Sequence, residues 1–209
     1  MKKTKTLILG TLLLLAMVPP VQASTVTYNL TGDAIDVSIT LHDDTAGLIT
    51  FNVAVDPLST FTGDLRGVFF NLTPFGNGIT ITGDQVTNVV VDQQCVTKAG
   101  PGSVINPYGP FDVGVEIGTP GMGKDDIQTT TFAMADLGVF TLDSFGQGTT
   151  PFGVRLTSVG LPDGPRTESR KLVGGTLGGG PNENPVPEPA SVLLICSGLA
   201  GLLSLRQKD

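Results

Sequence analysis

The chain has 209 residues, a formal charge of −7, only 15% charged and 6% aromatic residues, 28 glycines, 15 prolines and no tryptophan. That is room for one ordinary domain plus terminal signals. The low charge and high glycine content argue for many turns and short strands rather than long salt-bridged helices. Lys2, Lys3 and Lys5 cluster at the very start, so the rest is more acidic still and lacks the basic stripe that a nucleic-acid binder needs.

In chain order, residues 1–23 read as a signal peptide. The three lysines form its charged region, Leu7 to Val18 its apolar core, and Val21-Gln22-Ala23 places small residues before a cut between Ala23 and Ser24. Residues 24–176 read as one all-β domain, a single β-sandwich of jelly-roll-like type. The first strand is Val26 onwards. Ile35, Val37, Ile39 and Leu41 then alternate with polar residues, His42-Asp43-Asp44 begins a turn, and Leu48 to Val55 returns. Strands are further expected at Leu65 to Leu72, Ile79 to Thr82, Val86 to Val91, Phe111 to Ile117, Thr129 to Met134, Val139 to Leu142 and Phe152 to Val159. One short helix is admitted near 131–138. From Leu172 the periodicity fades, and residues 177–184 form a Gly/Pro-rich linker.

The body offers few chemical constellations. His42 is the only histidine and stands in the expected turn, which disfavours a triad or a zinc site. Cys95 lies in the body and Cys196 in the terminal apolar run, so no disulfide within the chain is expected. Asp43, Asp44, Asp125 and Asp126 are candidate calcium ligands, because turn carboxylates and backbone oxygens suit a hard cation. No EF-hand spacing accompanies them, and solvated turn aspartates are the plainer reading. Arg66 and Arg155 interrupt apolar strands, and each is expected to pair with an acid across the sheet.

The C-terminal stretch has a physical logic of its own. Pro185, Pro187 and Pro189 keep the approach extended. The uncharged run 190–205 would span about 24 Å as a helix, a short transmembrane anchor. Arg206 and Lys208 can snorkel and hold that end on the cytoplasmic side. Val186-Pro187-Glu188-Pro189-Ala190-Ser191, followed by a hydrophobic helix and a basic end, resembles the PEP-CTERM sorting signal. The resemblance covers residues 185–209. It implies processing in a Gram-negative bacterium by an exosortase, a membrane-embedded cysteine protease or transpeptidase. The tail Arg206-Gln207-Lys208-Asp209 departs from the family's usual run of arginines. Stretches beginning at Gly63, Gly123 and Phe152 are similar to an ectodomain often found before this signal, which brings no catalytic residues with it.

The expectation is therefore an exported, non-enzymatic structural or binding protein without an obligatory cofactor. It would be handled by signal peptidase, the general secretion machinery and an exosortase. It would be anchored transiently in the inner membrane, then placed at the cell surface or in the extracellular matrix, with exopolysaccharide or surface proteins as partners. The alternatives are a secreted hydrolase acting on polysaccharide and a calcium-stabilised adhesion module.

Overall fold

The computed structural model describes residues 24–178, apart from residues 46, 77, 122–124 and 136–139. The expected signal peptide up to Ala23, most of the linker, and the sorting segment with its helix and tail lie outside the described residues.

The described chain is all β. Its strands are β1 (Thr25–Thr31), β2 (Asp36–Thr45), β3 (Leu48–Val55), β4 (Thr62–Phe70), β5 (Thr80–Thr82), β6 (Val86–Val96), β7 (Lys98–Gly100), β8 (Ser103–Val104), β9 (Phe111–Ile117), β10 (Thr129–Ala135), β11 (Phe152–Gly160), β12 (Glu168–Gly174) and β13 (Thr176–Leu177). Six strands form one sheet in the order β13-β1-β2-β3-β10-β5, and five form a second in the order β12-β11-β4-β9-β6. Strands β7 and β8 make a separate hairpin. All pairings are antiparallel. Neither large sheet closes on itself.

Alternation sets the inner faces. In a strand successive side chains point to opposite sides. In β2 this turns Val37, Ile39 and Leu41 inward, and in β3 it turns Ile49, Phe51, Val53 and Val55 inward. Leu65, Val68, Val115, Val154 and Leu156 of the second sheet join them in one continuous core. Phe51 is its hub: its ring lies 4.7 Å from Phe132, 5.0 Å from Phe70 and 5.4 Å from Phe145. Each such buried side chain contributes about 1.5–3 kcal/mol.

The outer faces differ. On the five-stranded sheet, the β7–β8 hairpin folds over a second apolar cluster of Phe69, Val96, Ala99, Ile105 and Phe111. Consequently β4 and β9 are buried at every position. The approach is close enough to require glycine. A Cβ on Gly67 would fall onto the Ser103 hydroxyl, and one on Gly114 would lie 2.8 Å from the Val96 side chain. The outer face of the six-stranded sheet has no such cover among the described residues: β3 alternates buried and half-exposed throughout, and β2 does so as far as His42.

Several boundaries differ from the sequence expectation. His42, Asp43 and Asp44 are not in a turn. Strand β2 continues to Thr45, which pairs with Leu48 after a register shift, so the reversal is a tight two-residue one containing Gly47 at φ 75°. The expected strand from Val139 is not found in its described part, where Leu142–Ser144 is a 3-10 turn closed by Thr141 and Ser144. The segment near 131–135, where a helix was admitted, is strand β10. No strand is expected beyond Val159, and the periodicity fades from Leu172, yet two strands follow. Strand β12 is a charged outer strand in which only Leu172 is buried, and β13 extends the other sheet beside β1. Charge on an outer strand protects it from unwanted pairing and erases its apolar signal.

Candidate functional site

Two polar regions stand out, one covered and one open. The covered one centres on Arg66. In the pairing of β4 with β11, Arg155 faces Gly67 and Leu156 faces Leu65, so Arg66 is the extra residue of a β-bulge. A bulge re-aims the inserted side chain. Here it sends the guanidinium under the β7–β8 hairpin, where Arg66 is fully buried. Its Nη1 donates to the Ile117 carbonyl. Glu116 on β9 lies 3.8 Å away and Asp125 lies 3.9 Å away. The Glu116 carboxylate also accepts the Gly102 N–H at 3.0 Å. Arg66 Nε and Nη2, Ser103 Oγ and Asp125 Oδ1 have no hydrogen-bond partner. The pairing expected for Arg66 is therefore present, with Glu116 and Asp125 as the acids.

Arg155 differs. It stands directly opposite Lys171 of β12, and its buried Nε has no partner. Burial lowers its pKa. Lys171 is lowered too, by burial first and then by Arg155. The acid expected across the sheet from Arg155 is absent among the described residues: register, not composition, decides a strand's neighbours.

The four aspartates proposed as calcium ligands are already engaged or apart. Asp125 accepts the Thr119 N–H at 2.6 Å as well as facing Arg66. Asp126 is held by both terminal nitrogens of Arg166, at 2.7 and 2.5 Å, which keeps its carboxyl below the usual range. Asp43 accepts the Ser24 N–H at 2.5 Å, and Asp44 is exposed at the end of β2. Among the described residues no three His, Cys, Asp or Glu side chains gather closely enough to hold a metal. Asp64, which the sequence did not single out, accepts the Ile127 N–H at 3.1 Å. Burial pushes its pKa up to about 6, against lowering by that hydrogen bond and by Arg66.

The open region is the outer face of the six-stranded sheet. One cross-strand row is Thr27, Thr40, Asn52 and Thr131, and the next contains Thr25, His42 and Thr50. The row is hydrogen-bonded within itself: Thr27 and Thr40 hydroxyls are 3.0 Å apart, and Thr131 donates to Asn52 at 2.7 Å. His42 is held between the Thr25 hydroxyl, 3.0 Å from Nδ1, and the Asn52 amide, 3.2 Å from Nε2. It is a member of this lattice rather than a solvated turn residue. At the far end of β1–β3 a groove of about 350 Å³ is lined by Thr31, Asp36, Ser38, Asp56 and their neighbours. Cys95 is free and exposed on the outer strand β6. Among the described residues no helix is long and apolar enough to cross a membrane.

The threonine rows were visible as period-two threonines at 25/27, 80/82 and 129/131. Their alignment into rows needed the strand register. Glu116 carried a weaker signal, one of two acids, with Asp112, inside an otherwise apolar strand.

No curated protein and no solved structure matches the chain. Residues 185–208 match the family model of the PEP-CTERM protein-sorting motif. The chain therefore carries that sorting motif behind an all-β body, which marks it as an exported protein sorted by an exosortase.

Proposed function

We propose that this protein is a structural or binding component of the cell surface or extracellular matrix, built on a non-enzymatic β-sandwich and delivered through its C-terminal sorting segment. The observation that carries the reading is the sorting motif at residues 185–208. In this reading signal peptidase cuts between Ala23 and Ser24. Residues 190–205 then hold the chain in the inner membrane while an exosortase cuts near Pro187-Glu188-Pro189. The shared core of the two sheets supports the sandwich. Intact-mass measurement of the protein from its native host, with and without the exosortase, tests the reading. Loss of the C-terminal segment only when the exosortase is present is expected, and an unchanged C-terminus in both strains would refute it.

One observation favours the second reading, a secreted hydrolase acting on polysaccharide: Asp36 and Asp56 line the same groove. Against it, each carboxylate already closes a local turn. Asp36 accepts the Gly32 N–H at 3.1 Å and Asp56 the Leu58 N–H at 2.9 Å. Release of reducing ends from a polysaccharide, abolished by Asp36→Asn, would establish the hydrolase.

A further inference from the structure

We infer that the open outer face of the six-stranded sheet, with the groove at its Thr31 end, is a binding surface for a neutral polysaccharide. This deepens the reading above and rests on it only for where the ligand is met.

The first argument is charge. The outward positions of β1, β2, β3, β5 and β10 include no lysine, arginine or glutamate, and the acids of these strands, Asp36, Asp43 and Asp44, stand at the two ends of β2. Soluble surfaces normally intersperse charges of both signs. A face without cations has nothing to offer nucleic acid, an anionic lipid surface or a polyuronate. An uncharged polymer loses least on meeting it.

The second argument is chemistry. Stable protein interfaces are anchored by aromatic, methionine and arginine side chains. This face presents none. What it presents is a lattice of hydroxyl and amide groups, spaced about 4.8 Å between strands and about 6.8 Å along each strand. Each threonine hydroxyl both donates and accepts, and Asn52 does the same through its two ends. That is the complement of sugar hydroxyls, which also do both. The mutual hydrogen bonds of Thr27 with Thr40 and of Thr131 with Asn52 fix the rotamers in advance, which lowers the entropy lost on binding.

The third argument is shape. The outward positions Thr27, Asn29 and Thr31 of β1 and Thr40, Ser38 and Asp36 of β2 lead along the strands to the groove, where Asp36 and Asp56 add carboxylate oxygens that accept from sugar diols. A polymer can lie along the sheet and place a residue or an end in the groove.

The test uses the purified full chain in detergent, run in native gels containing a soluble neutral β-glucan, a neutral galactomannan or a polyuronate. Retardation by at least one neutral polymer and not by the polyuronate is expected. Thr40→Lys or Asn52→Lys sets an ammonium in the central row and should weaken apparent affinity by about tenfold or more, a loss of about 1.4 kcal/mol. The melting temperature should hold. Thr40→Val, which removes the hydroxyl at nearly constant shape, should weaken binding in the same direction and serves if a lysine variant fails to fold. Gln93→Lys, exposed on β6 of the other sheet, should bind as the parent does. Retardation by neither neutral polymer, equal retardation by the polyuronate, or an equal loss in Gln93→Lys would overturn the inference. Because binding is read on purified protein, a failure here leaves the sorting reading intact. An uncut tail in the host would likewise leave a positive binding result intact.

Discussion

The two large sheets turn their inner faces to one core, yet their outer faces have opposite fates. The five-stranded sheet lies under the β7–β8 hairpin, with apolar rings and a buried ion cluster sealed beneath it. The six-stranded sheet keeps an open lattice of hydroxyls. Both use antiparallel strands, so backbone pairing does not distinguish them. What differs is whether the outward residues need removal from water. Phe69 and Phe111 do, and the hairpin supplies it. Thr40 and Asn52 do not, and no element among the described residues covers them. The covered face should therefore be where substitutions cost stability, and the open face where they cost only recognition.

The largest effect should come from Arg66→Ala, which leaves Glu116 buried, and the partly exposed Asp125 beside it, without a counter-charge. A loss of about 3–5 kcal/mol is expected in denaturant unfolding. Combining Arg66→Met with Glu116→Gln should recover much of it, because the pair is then removed together. Recovery of nothing would show that the hairpin depends on the charges themselves.

Next is Gly67→Ala, whose methyl group would meet the Ser103 hydroxyl. Overpacking of this kind costs about 1–3 kcal/mol. Ser103→Ala removes a buried hydroxyl that has no partner and should be close to neutral alone. In the double variant it should relieve part of the Gly67→Ala penalty. Strict additivity would mean that the two positions do not touch.

A smaller effect depends on pH. The Asp64 carboxyl sits at about 6 in the folded protein, above the ordinary carboxylate value, because burial disfavours its charge. The folded state therefore takes up this proton first as pH falls. Asp64 adds stability as pH drops through about 6, and the gain is complete below the ordinary carboxylate range. Asp126, held low by Arg166, acts in the opposite sense and only on further acidification. Melting temperature followed from pH 8 to pH 5 should rise less steeply in Asp64→Asn than in the parent. Parallel curves would remove Asp64 as the source.

The smallest effect expected is Arg155→Met, a change between neutral and a gain of up to about 1 kcal/mol. It removes a cation facing Lys171 and a buried Nε without a partner. A clear loss would show that the stem of Arg155 packs more than its head repels.

Much of this was legible before any coordinates. The alternation of Val37, Ile39 and Leu41 and the run from Phe111 to Ile117 follow directly from period two, and the terminal motif follows from its residues. Three things were not legible. Strand β12 hides behind Glu168, Arg170 and Lys171, because an outer strand tolerates charge. The turn assigned to His42-Asp43-Asp44 fell inside β2, because turn-favouring residues also serve at a strand end when the true reversal needs only two residues. The contrast between Arg66 and Arg155 was invisible, since it depends on a one-residue bulge that turns Arg66 toward acids and leaves Arg155 facing a lysine.

The pairing of β13 with β1 has a consequence for orientation. Leu177 lies beside Tyr28, and Gly178 donates to the Thr27 carbonyl, so the chain leaves toward the edge where Ser24 enters. Both ports are thus at the Thr25 end of the sheet, while the groove is at the Thr31 end. The described chain therefore begins and ends on the side of the sheet opposite the groove, so neither of these ends stands in the way of what enters it.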